Sequence, residues 1–139
     1  MFDPQDEIEI KKRLSEITHE VKIILFTASL NCETCPETER LLQAVAGLSD
    51  QVHLEIFNLY VDREKAAQYK IDRVPAVIIE GERDYGIRYF GIPGGYEFAS
   101  LLEGVVAVGK RESGLTEASR EKIRQLADPL NLKVFVTPG

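Results

Sequence analysis

Residues 21–36 have the sequence VKIILFTASLNCETCP, in which an apolar run is followed closely by a Cys-x-x-Cys motif. The run from Val21 to Ala28 is rich in β-branched residues, which is typical of a strand covered on both faces. After the motif, apolar residues recur at helical spacing between charged ones, at Leu41, Leu42, Val45 and Leu48. The stretch therefore predicts a buried strand that leads into a helix, with Cys32 and Cys35 at the start of that helix.

The start of a helix is a favourable place for a thiolate. The first turn presents backbone N–H groups that have no partner within the helix, together with a partial positive charge. Both lower the pKa of a thiol below its free value of about 8.5 and so increase the fraction of reactive thiolate. We predict that Cys32 is the nucleophile and that Cys35, one turn further on, resolves the mixed disulfide formed on Cys32. Pro36 fits this placement, since the N–H that proline lacks is not needed in a first helical turn.

Composition limits the kinds of protein that this chain can be. With 139 residues, 44% of them hydrophobic, the chain is long enough for one compact core. The formal net charge of -6 disfavours nucleic acid and anionic membranes as partners, since both attract basic surfaces. No apolar stretch approaches the roughly 18 residues of a membrane span, and residues 1–7 lack the apolar core of a signal peptide. We therefore predict a cytoplasmic protein with no nucleic-acid and no membrane partner.

The rest of the chain alternates strand and helix patterns, which is typical of an α/β fold. An additional amphipathic helix from Asp3-Pro4 to about Thr18 precedes the central strand. Residues 52–61 predict a second strand, parallel to the first because a helix connects the two. A short helix follows, from Asp62, which is predicted to be its cap, to Tyr69.

The pattern continues with a hairpin and another helix. Within residues 71–80, Pro75 stands at the very start of an apolar strand, where a missing N–H does not break a ladder. After a turn, residues 85–90 return antiparallel. Gly91 to Gly95 then break the chain before a helix with apolar residues at positions 98, 101, 102, 105 and 106. The predicted order is thus an additional helix followed by β-α-β-α-β-β-α.

Residues 113–139 form a separate C-terminal part. Thr116 to Leu130 predict a helix with an apolar stripe at Ile123, Leu126, Ala127 and Leu130. Residues 132–138 predict a strand, because they repeat the apolar character of residues 24–27. This part therefore begins to repeat the strand that precedes the Cys-x-x-Cys motif.

A Cys-x-x-Cys motif after a strand, with Val74-Pro75 opening another strand about forty residues later, resembles the thioredoxin superfamily. More closely, four segments are similar to the glutaredoxin-like protein disulfide oxidoreductases: residues 26–27, 32–36, 73–75 and 88–98. The resemblance implies a thioredoxin fold, with a central mixed sheet of four strands flanked by helices.

That family contains two thioredoxin-fold units in tandem, which implies a division of the chain. Residues 1–112 would be the thioredoxin- or glutaredoxin-like domain with the Cys-x-x-Cys site. Residues 113–139 would be a linker helix and the first strand of a second unit, in which another Cys-x-x-Cys would follow. We therefore expect this sequence to be a fragment of a longer protein.

The resemblance also implies roles for particular residues. It supports the attacking and resolving roles of the two cysteines. Pro75 would be a cis proline that faces them, so that the Val74 backbone can pair with an extended substrate chain. Gly91 and Gly94 would border the same groove. An ordinary trans proline, and a plain loop at the glycines, are the alternatives.

Two features depart from the family pattern. Thioredoxins place a buried acid six residues before the first cysteine, where this chain has Phe26. Glu33 and Thr34 replace the Pro-Tyr that is common between the cysteines of glutaredoxin-like sites. A carboxylate next to Cys32 opposes its thiolate, since like charges raise the pKa of a thiol. We therefore expect Glu33, Thr34 and Pro36 to tune the site, which should be less acidic and more reducing than that of a strong oxidase.

These inferences predict a protein disulfide oxidoreductase that exchanges disulfides with protein substrates through Cys32 and Cys35. The expected partners are protein thiols and disulfides, with a thioredoxin-reductase-like enzyme or glutathione as electron donor. No cofactor is expected besides the redox-active disulfide itself. The direction of electron flow depends on the reduction potential, which the sequence does not supply.

Two other functions remain open at this stage. The chain could be a non-catalytic thioredoxin-fold half of a larger two-unit redox protein. A Cys-x-x-Cys motif is also half of a zinc site, but two cysteines and two histidines, none of the latter beside the motif, give one chain no plausible set of four ligands. We therefore expect no metal site in one chain, although two chains could share a metal ion or an iron–sulfur cluster.

Overall fold

The structure is a computed structural model that describes residues 1–137. Its helices and strands, in chain order, are α1 (Pro4–Leu14), β1 (Val21–Thr27), α2 (Cys35–Ala46), β2 (Val52–Asn58), α3 (Arg63–Tyr69), β3 (Ala76–Glu80), β4 (Asp84–Phe90), α4 (Tyr96–Lys110) and α5 (Glu117–Arg124). This order agrees with the predicted one, including the additional helix in front of the central strand.

The four strands form one mixed sheet in the order β2-β1-β3-β4. β2 is parallel to β1, whereas β3 is antiparallel to β1 and β4 is antiparallel to β3. The parallel pairing follows from α2, since this helix returns the chain to the end of the sheet at which β1 begins. The predicted α/β fold with a central mixed sheet is therefore confirmed.

β1 lies in the middle of the sheet and is buried on both faces. Ile23 and Leu25 belong to a core that α1, α2 and α4 cover. Ile24 and Phe26 belong to a smaller core that α3 closes from the opposite face. Burial on both sides explains why this strand is a continuous apolar run rather than an alternating one.

α1 is held by its cap and by α4. The Asp3 carboxylate accepts hydrogen bonds from the backbone N–H groups of residues 5 and 6, both at 2.9 Å, as the sequence predicted. The helix ends at Leu14 and does not continue to about Thr18. The Thr18 N–H donates instead to the Gly109 carbonyl of α4, at 3.1 Å. A tertiary hydrogen bond thus replaces a helical one.

Two other features, the end of β2 and the cap of α3, differ from the predicted ones. β2 ends at Asn58 and not at Val61, because the Asn58 side chain accepts hydrogen bonds from the N–H groups of residues 60 and 61 and turns the chain. Asp62 precedes α3 without capping it, and its carboxylate accepts a hydrogen bond from the Asn58 N–H at 2.7 Å. β3, in contrast, begins directly after Pro75, as predicted, since proline has no N–H to pair.

The C-terminal part is largely exposed. α5 ends at Arg124, before the predicted end at Leu130, and none of its residues is buried. Asp128 precedes a proline, which disfavours helical geometry, and an unpartnered apolar stripe gives a short helix little stability. The strand predicted over residues 132–138 is not formed over residues 132–137, which have no regular secondary structure and pair with no strand of the described chain. Residue 138 lies outside the described residues. The division at residue 113, with a second unit beyond it, stays a prediction.

Gly109 is a position where the fold leaves no room for a side chain. A Cβ at this position would lie 2.5 Å from Ile17 Cγ2 and 2.9 Å from Val21 Cγ2. Overpacking lowers the free energy of unfolding by about 1–3 kcal/mol or more. The better helix propensity of alanine offsets only about 1 kcal/mol of this loss. We expect Gly109→Ala to lower the free energy of unfolding by about 2 kcal/mol in a denaturant titration.

Gly104→Ala, in the same helix, is the matched control for Gly109→Ala. Its Cβ would lie 3.1 Å from Ile79 Cδ1, the movable end of a side chain. The gain in helix propensity then offsets a smaller packing cost, so we expect a change below about 1 kcal/mol. An equal loss of stability in the two variants would contradict the packing argument.

Candidate active site

The two cysteines form a disulfide at the start of α2. Their Cα atoms are 5.4 Å apart, and Cys35 is the first residue of the helix. Cys35 is only 1% exposed, whereas Cys32 is half-buried. This difference fits the predicted roles, because a nucleophile must be accessible to a substrate and a resolving thiol must reach only the first cysteine.

Local backbone geometry shapes the loop that precedes α2. Asn31 has a φ of 58°, in the left-handed region, which asparagine adopts more readily than most residues that have a side chain. The Cys35 N–H donates to the Cys32 carbonyl at 3.4 Å, which is a long hydrogen bond. Thr34 makes no side-chain capping hydrogen bond to α2. Its side chain therefore leaves the N–H groups of the first turn to other partners.

Pro75 and Gly91 lie at the end of the sheet at which β1 finishes. Ala76, directly after Pro75, pairs in register with Phe26 near the end of β1. The Gly91 N–H donates to the Pro75 carbonyl at 2.9 Å. The Val74–Pro75 peptide bond is cis. The strand register therefore places these predicted substrate-binding residues at the same end of the sheet at which the chain leaves β1 and leads to the Cys-x-x-Cys motif.

Gly94 has different surroundings from Gly91. Together with Leu41 and Phe98, it lines a hollow of about 440 Å³ between α1, α2 and α4. The sequence assigned both glycines to one substrate groove, whereas Gly91 bonds to Pro75 and Gly94 lies on a surface between helices. The contact of either glycine with a substrate stays a prediction.

Phe26 occupies the interior position where the family pattern has an acid. It is fully buried, and its ring centroid lies 5.5 Å from that of Phe57 and 6.1 Å from that of Tyr69. The small core around it consists of apolar residues and Tyr69. No carboxylate is therefore available at this position for proton transfer with Cys35.

Solvent reaches several side chains of the motif and of the segment before Pro75. Glu33 and Pro36 in the motif are both exposed, as are Asp72 and Arg73. Arg73 Nε donates to Asp72 Oδ1 at 2.9 Å, and the Arg73 guanidinium lies 5.2 Å from the Phe90 ring centroid. The hydrogen bond from Arg73 lowers the pKa of the Asp72 carboxyl. Because this pair is exposed, it adds little to stability.

Glu33→Gln tests the expected influence of the charge inside the motif. We expect the Cys32 pKa of the reduced variant to lie below that of the reduced wild type, because a negative charge next to the thiolate has been removed. Titration of the thiolate absorbance measures this difference. Glu117→Gln, in α5, is the control and should leave the titration unchanged. A Cys32 pKa that is unchanged or higher in Glu33→Gln would contradict the expectation.

Glu97 lies in the first turn of α4, where burial raises the pKa of its carboxyl. The folded state therefore binds this proton more tightly than the unfolded state. The resulting stability is fully present below the ordinary glutamate pKa of 4.5 and is lost as the pH rises through the higher folded-state value. We expect Glu97→Gln to be more stable than the wild type at neutral pH and similar to it in acid, in denaturant titrations across this range.

Glu103→Gln, in the same helix, is the control for Glu97→Gln because its pKa shift has the opposite sign. A hydrogen bond from Arg13 lowers the pKa of the Glu103 carboxyl. That group stabilises the fold above its ordinary pKa and loses this effect as the pH falls. We expect Glu103→Gln to be less stable than the wild type at neutral pH. The interpretation is wrong if both variants shift the pH profile in the same direction.

Thr38 is a buried polar residue close to the motif that the sequence did not single out. It is the one polar side chain among the buried residues of the described chain. Its position in the apolar stripe of α2, three residues after Cys35, was the available signal.

The part of the chain that the structure describes was also compared with the requirements of a membrane-spanning helix and of a metal site. Within residues 1–137, no helix has both the length and the apolar character needed to cross a membrane. The same residues contain no group of three or more His, Cys, Asp or Glu side chains placed to hold a metal ion.

A disulfide within a Cys-x-x-Cys motif, at the start of the helix that follows the central strand of a mixed sheet, defines the class of thioredoxin-fold redox proteins. A family model described as a thioredoxin domain matches residues 19–103. The chain belongs to the thioredoxin-domain family. The resemblance to the thioredoxin superfamily is thereby confirmed.

Individual relatives agree with this membership. The chain is 35% identical to the thioredoxin of Methanocaldococcus jannaschii over 74 residues, which are 52% of this chain and 81% of that protein. It is similar to the crystal structure of a protein disulfide oxidoreductase from Aeropyrum pernix K1, with a TM-score of 0.79, 28% identity and coverage of 91% of this chain and 56% of that chain. It is 26% identical to an alkyl hydroperoxide reductase protein of Pseudomonas aeruginosa over 136 residues, which are 97% of this chain and 24% of that protein.

The lengths of these relatives differ. The chain spans most of the archaeal thioredoxin, somewhat more than half of the solved oxidoreductase chain, and about a quarter of the hydroperoxide reductase protein. A solved alkylhydroperoxide reductase protein from Enterococcus faecalis also superposes, with a TM-score of 0.81 at 24% identity and coverage of 90% of this chain and 61% of that chain. That likeness shows the fold alone.

Proposed function

We propose that this chain is a protein disulfide oxidoreductase that exchanges disulfides with protein substrates through Cys32 and Cys35. The single observation that supports the proposal best is the arrangement of the two cysteines. A half-buried sulfur is bonded to a buried one at the start of a helix, within a thioredoxin-family fold. Thiol–disulfide exchange needs an accessible attacking thiolate and a second thiol within reach of it.

In the reducing direction, the Cys32 thiolate attacks one sulfur of a substrate disulfide. A bond forms between Cys32 Sγ and that sulfur, and the other substrate sulfur leaves as a thiolate that takes up a proton from water. Cys35, after losing its proton to water, then attacks Cys32 Sγ and releases the second substrate thiolate. Two electrons pass from the dithiol to the substrate, and the reverse sequence oxidises a substrate dithiol.

An electron donor must reduce the Cys32–Cys35 disulfide again after each cycle. We propose a thioredoxin-reductase-like enzyme or glutathione for this role, with no cofactor on this chain other than its own disulfide. The proposed compartment is the cytoplasm, where such donors keep protein thiols reduced.

Exposed apolar side chains near the motif support a protein as the substrate. Leu30, two residues before Cys32, is 78% exposed. Tyr60 and Val61 are also exposed and follow β2, whose end lies beside that of the parallel β1. Exposed apolar side chains beyond the ends of two neighbouring strands would suit a protein partner. The same proposal assigns substrate binding to Val74, Pro75, Gly91 and Gly94, and tuning of the site to Glu33, Thr34 and Pro36.

Reduction of insulin in the presence of dithiothreitol tests the proposal. We expect the wild-type chain to accelerate the reaction over dithiothreitol alone, and Cys32→Ser to give the dithiothreitol rate. Equal rates for the two proteins would overturn the proposal. The equilibrium between the Cys32–Cys35 couple and glutathione then determines the direction in which the protein works.

A second candidate is a non-catalytic half of a larger redox protein. The exposed apolar residues of the C-terminal part favour it, since such a surface needs a partner. They include Ile123, Leu126, Leu130, Leu132, Val134 and Phe135. The similarity to a much longer hydroperoxide reductase protein points the same way. A wild-type chain whose disulfide exchanges with glutathione, but which does not accelerate insulin reduction, would favour this candidate.

A further inference from the structure

Thr38 places a hydroxyl group in the apolar interior below the redox motif. Its side chain is 0% exposed and belongs to the buried stripe of α2, with Cys35, Leu42 and Val45. A buried hydroxyl is unfavourable unless it is hydrogen-bonded, and threonine is not a preferred residue inside a helix. Packing alone therefore gives no reason for a hydroxyl at this position.

Both hydrogen bonds that Thr38 donates go to one atom. Thr38 Oγ1 donates to the Thr34 carbonyl at 2.7 Å, and the Thr38 N–H donates to the same oxygen at 2.9 Å. Threonine in a helix commonly donates to the carbonyl four residues earlier. The feature specific to this chain is that the carbonyl belongs to the residue directly before Cys35, inside the Cys-x-x-Cys motif.

The Thr34 carbonyl and the Cys35 N–H are parts of one rigid peptide group. Because a trans peptide is planar and its C=O and N–H point in opposite directions, holding the carbonyl also fixes the direction of the N–H. That N–H is directed back toward Cys32, whose carbonyl accepts it at 3.4 Å. A hydrogen bond of this length is weak, so the N–H remains able to donate a hydrogen bond to a thiolate on Cys32 in the reduced protein.

We propose that Thr38 is a positioning residue for the redox couple and acts through the peptide group between Thr34 and Cys35. Its hydroxyl orients this group and polarises it, since hydrogen bonds in series strengthen one another. The Cys35 N–H thereby stabilises the Cys32 thiolate of the reduced protein. The inference rests on the proposed thiol–disulfide exchange, and it assigns part of the reactivity to a side chain that does not touch substrate.

Thr38→Val and Thr38→Ser separate the hydroxyl from the shape of the side chain. Valine keeps the volume and loses the donor, whereas serine keeps the donor. We expect reduced Thr38→Val to react with iodoacetamide at neutral pH roughly two- to fivefold more slowly than the wild type, as the loss of one hydrogen bond implies. Its equilibrium with glutathione should shift toward the disulfide by a similar factor, because the reduced form loses thiolate stabilisation. Thr38→Ser should restore both values to near those of the wild type.

Thr18→Val is the matched control for the loss of a hydroxyl elsewhere. Thr18 Oγ1 contacts the Gly109 carbonyl at 3.4 Å, so this variant tests stability away from the motif. It should leave alkylation of Cys32 and the glutathione equilibrium unchanged. The inference is overturned if Thr38→Val keeps the wild-type values, or if Thr38→Ser departs from them as far as Thr38→Val does. Failure of the wild type to reduce insulin would instead overturn the proposed function while leaving these two readouts interpretable.

Discussion

Cys35→Ser is expected to stop multiple turnover and to trap substrates covalently. Without the second thiol, the mixed disulfide between Cys32 and a substrate protein has no intramolecular route to resolution. Insulin reduction should fall to the dithiothreitol rate. Incubation of the reduced variant with a disulfide-containing protein should give an adduct on a non-reducing gel, which excess dithiothreitol removes.

The matched variant, Cys32→Ser, should form little or no such adduct. It retains the Cys35 thiol, but that residue is 1% exposed and cannot be reached by the disulfide of a folded protein. Burial thus determines which cysteine attacks, although both lie at the start of the same helix. Equal adduct formation by the two variants, or more by Cys32→Ser, would show that the assignment of the attacking thiol is wrong.

The features that sequence predicted well are those with a local cause. The burial of β1 follows from its apolar run, and the placement of Cys32 and Cys35 follows from the change of period at that point. The parallel pairing of β1 and β2 follows from the intervening helix. The Asp3 cap likewise depends only on its nearest neighbours in the chain.

The features that sequence missed depend on contacts between distant parts of the chain or on competing side chains. Asn58 ends β2 through its own side chain, which a propensity pattern over residues 52–61 does not register. The end of α1 depends on the Gly109 carbonyl of α4. The Thr38 hydrogen bond is local, but the full burial of this side chain depends on the packing of α2 against the rest of the fold.

Phe26→Asp is expected to destabilise the protein severely, even though it places an acid where thioredoxins have one. Phe26 is fully buried and packs against the rings of Phe57 and Tyr69 in a hydrophobic cluster. Loss of the ring alone costs about 3–5 kcal/mol, and burial of an unpaired carboxylate adds to this cost. Because a domain of this size is stabilised by only about 5–15 kcal/mol, we expect the variant to be mostly unfolded at neutral pH.

Phe26→Leu is the control that separates the charge from the loss of the ring. It keeps the site apolar and should cost about 1.5 kcal/mol or less in a denaturant titration. The difference in stability between the two variants should shrink as the pH falls, because a protonated carboxyl is cheaper to bury than an ionised one. If Phe26→Asp were instead as stable as Phe26→Leu at neutral pH, this interior could accommodate an acid. Packing around Phe26 would then not explain why Cys35 lacks a carboxylate partner at this position.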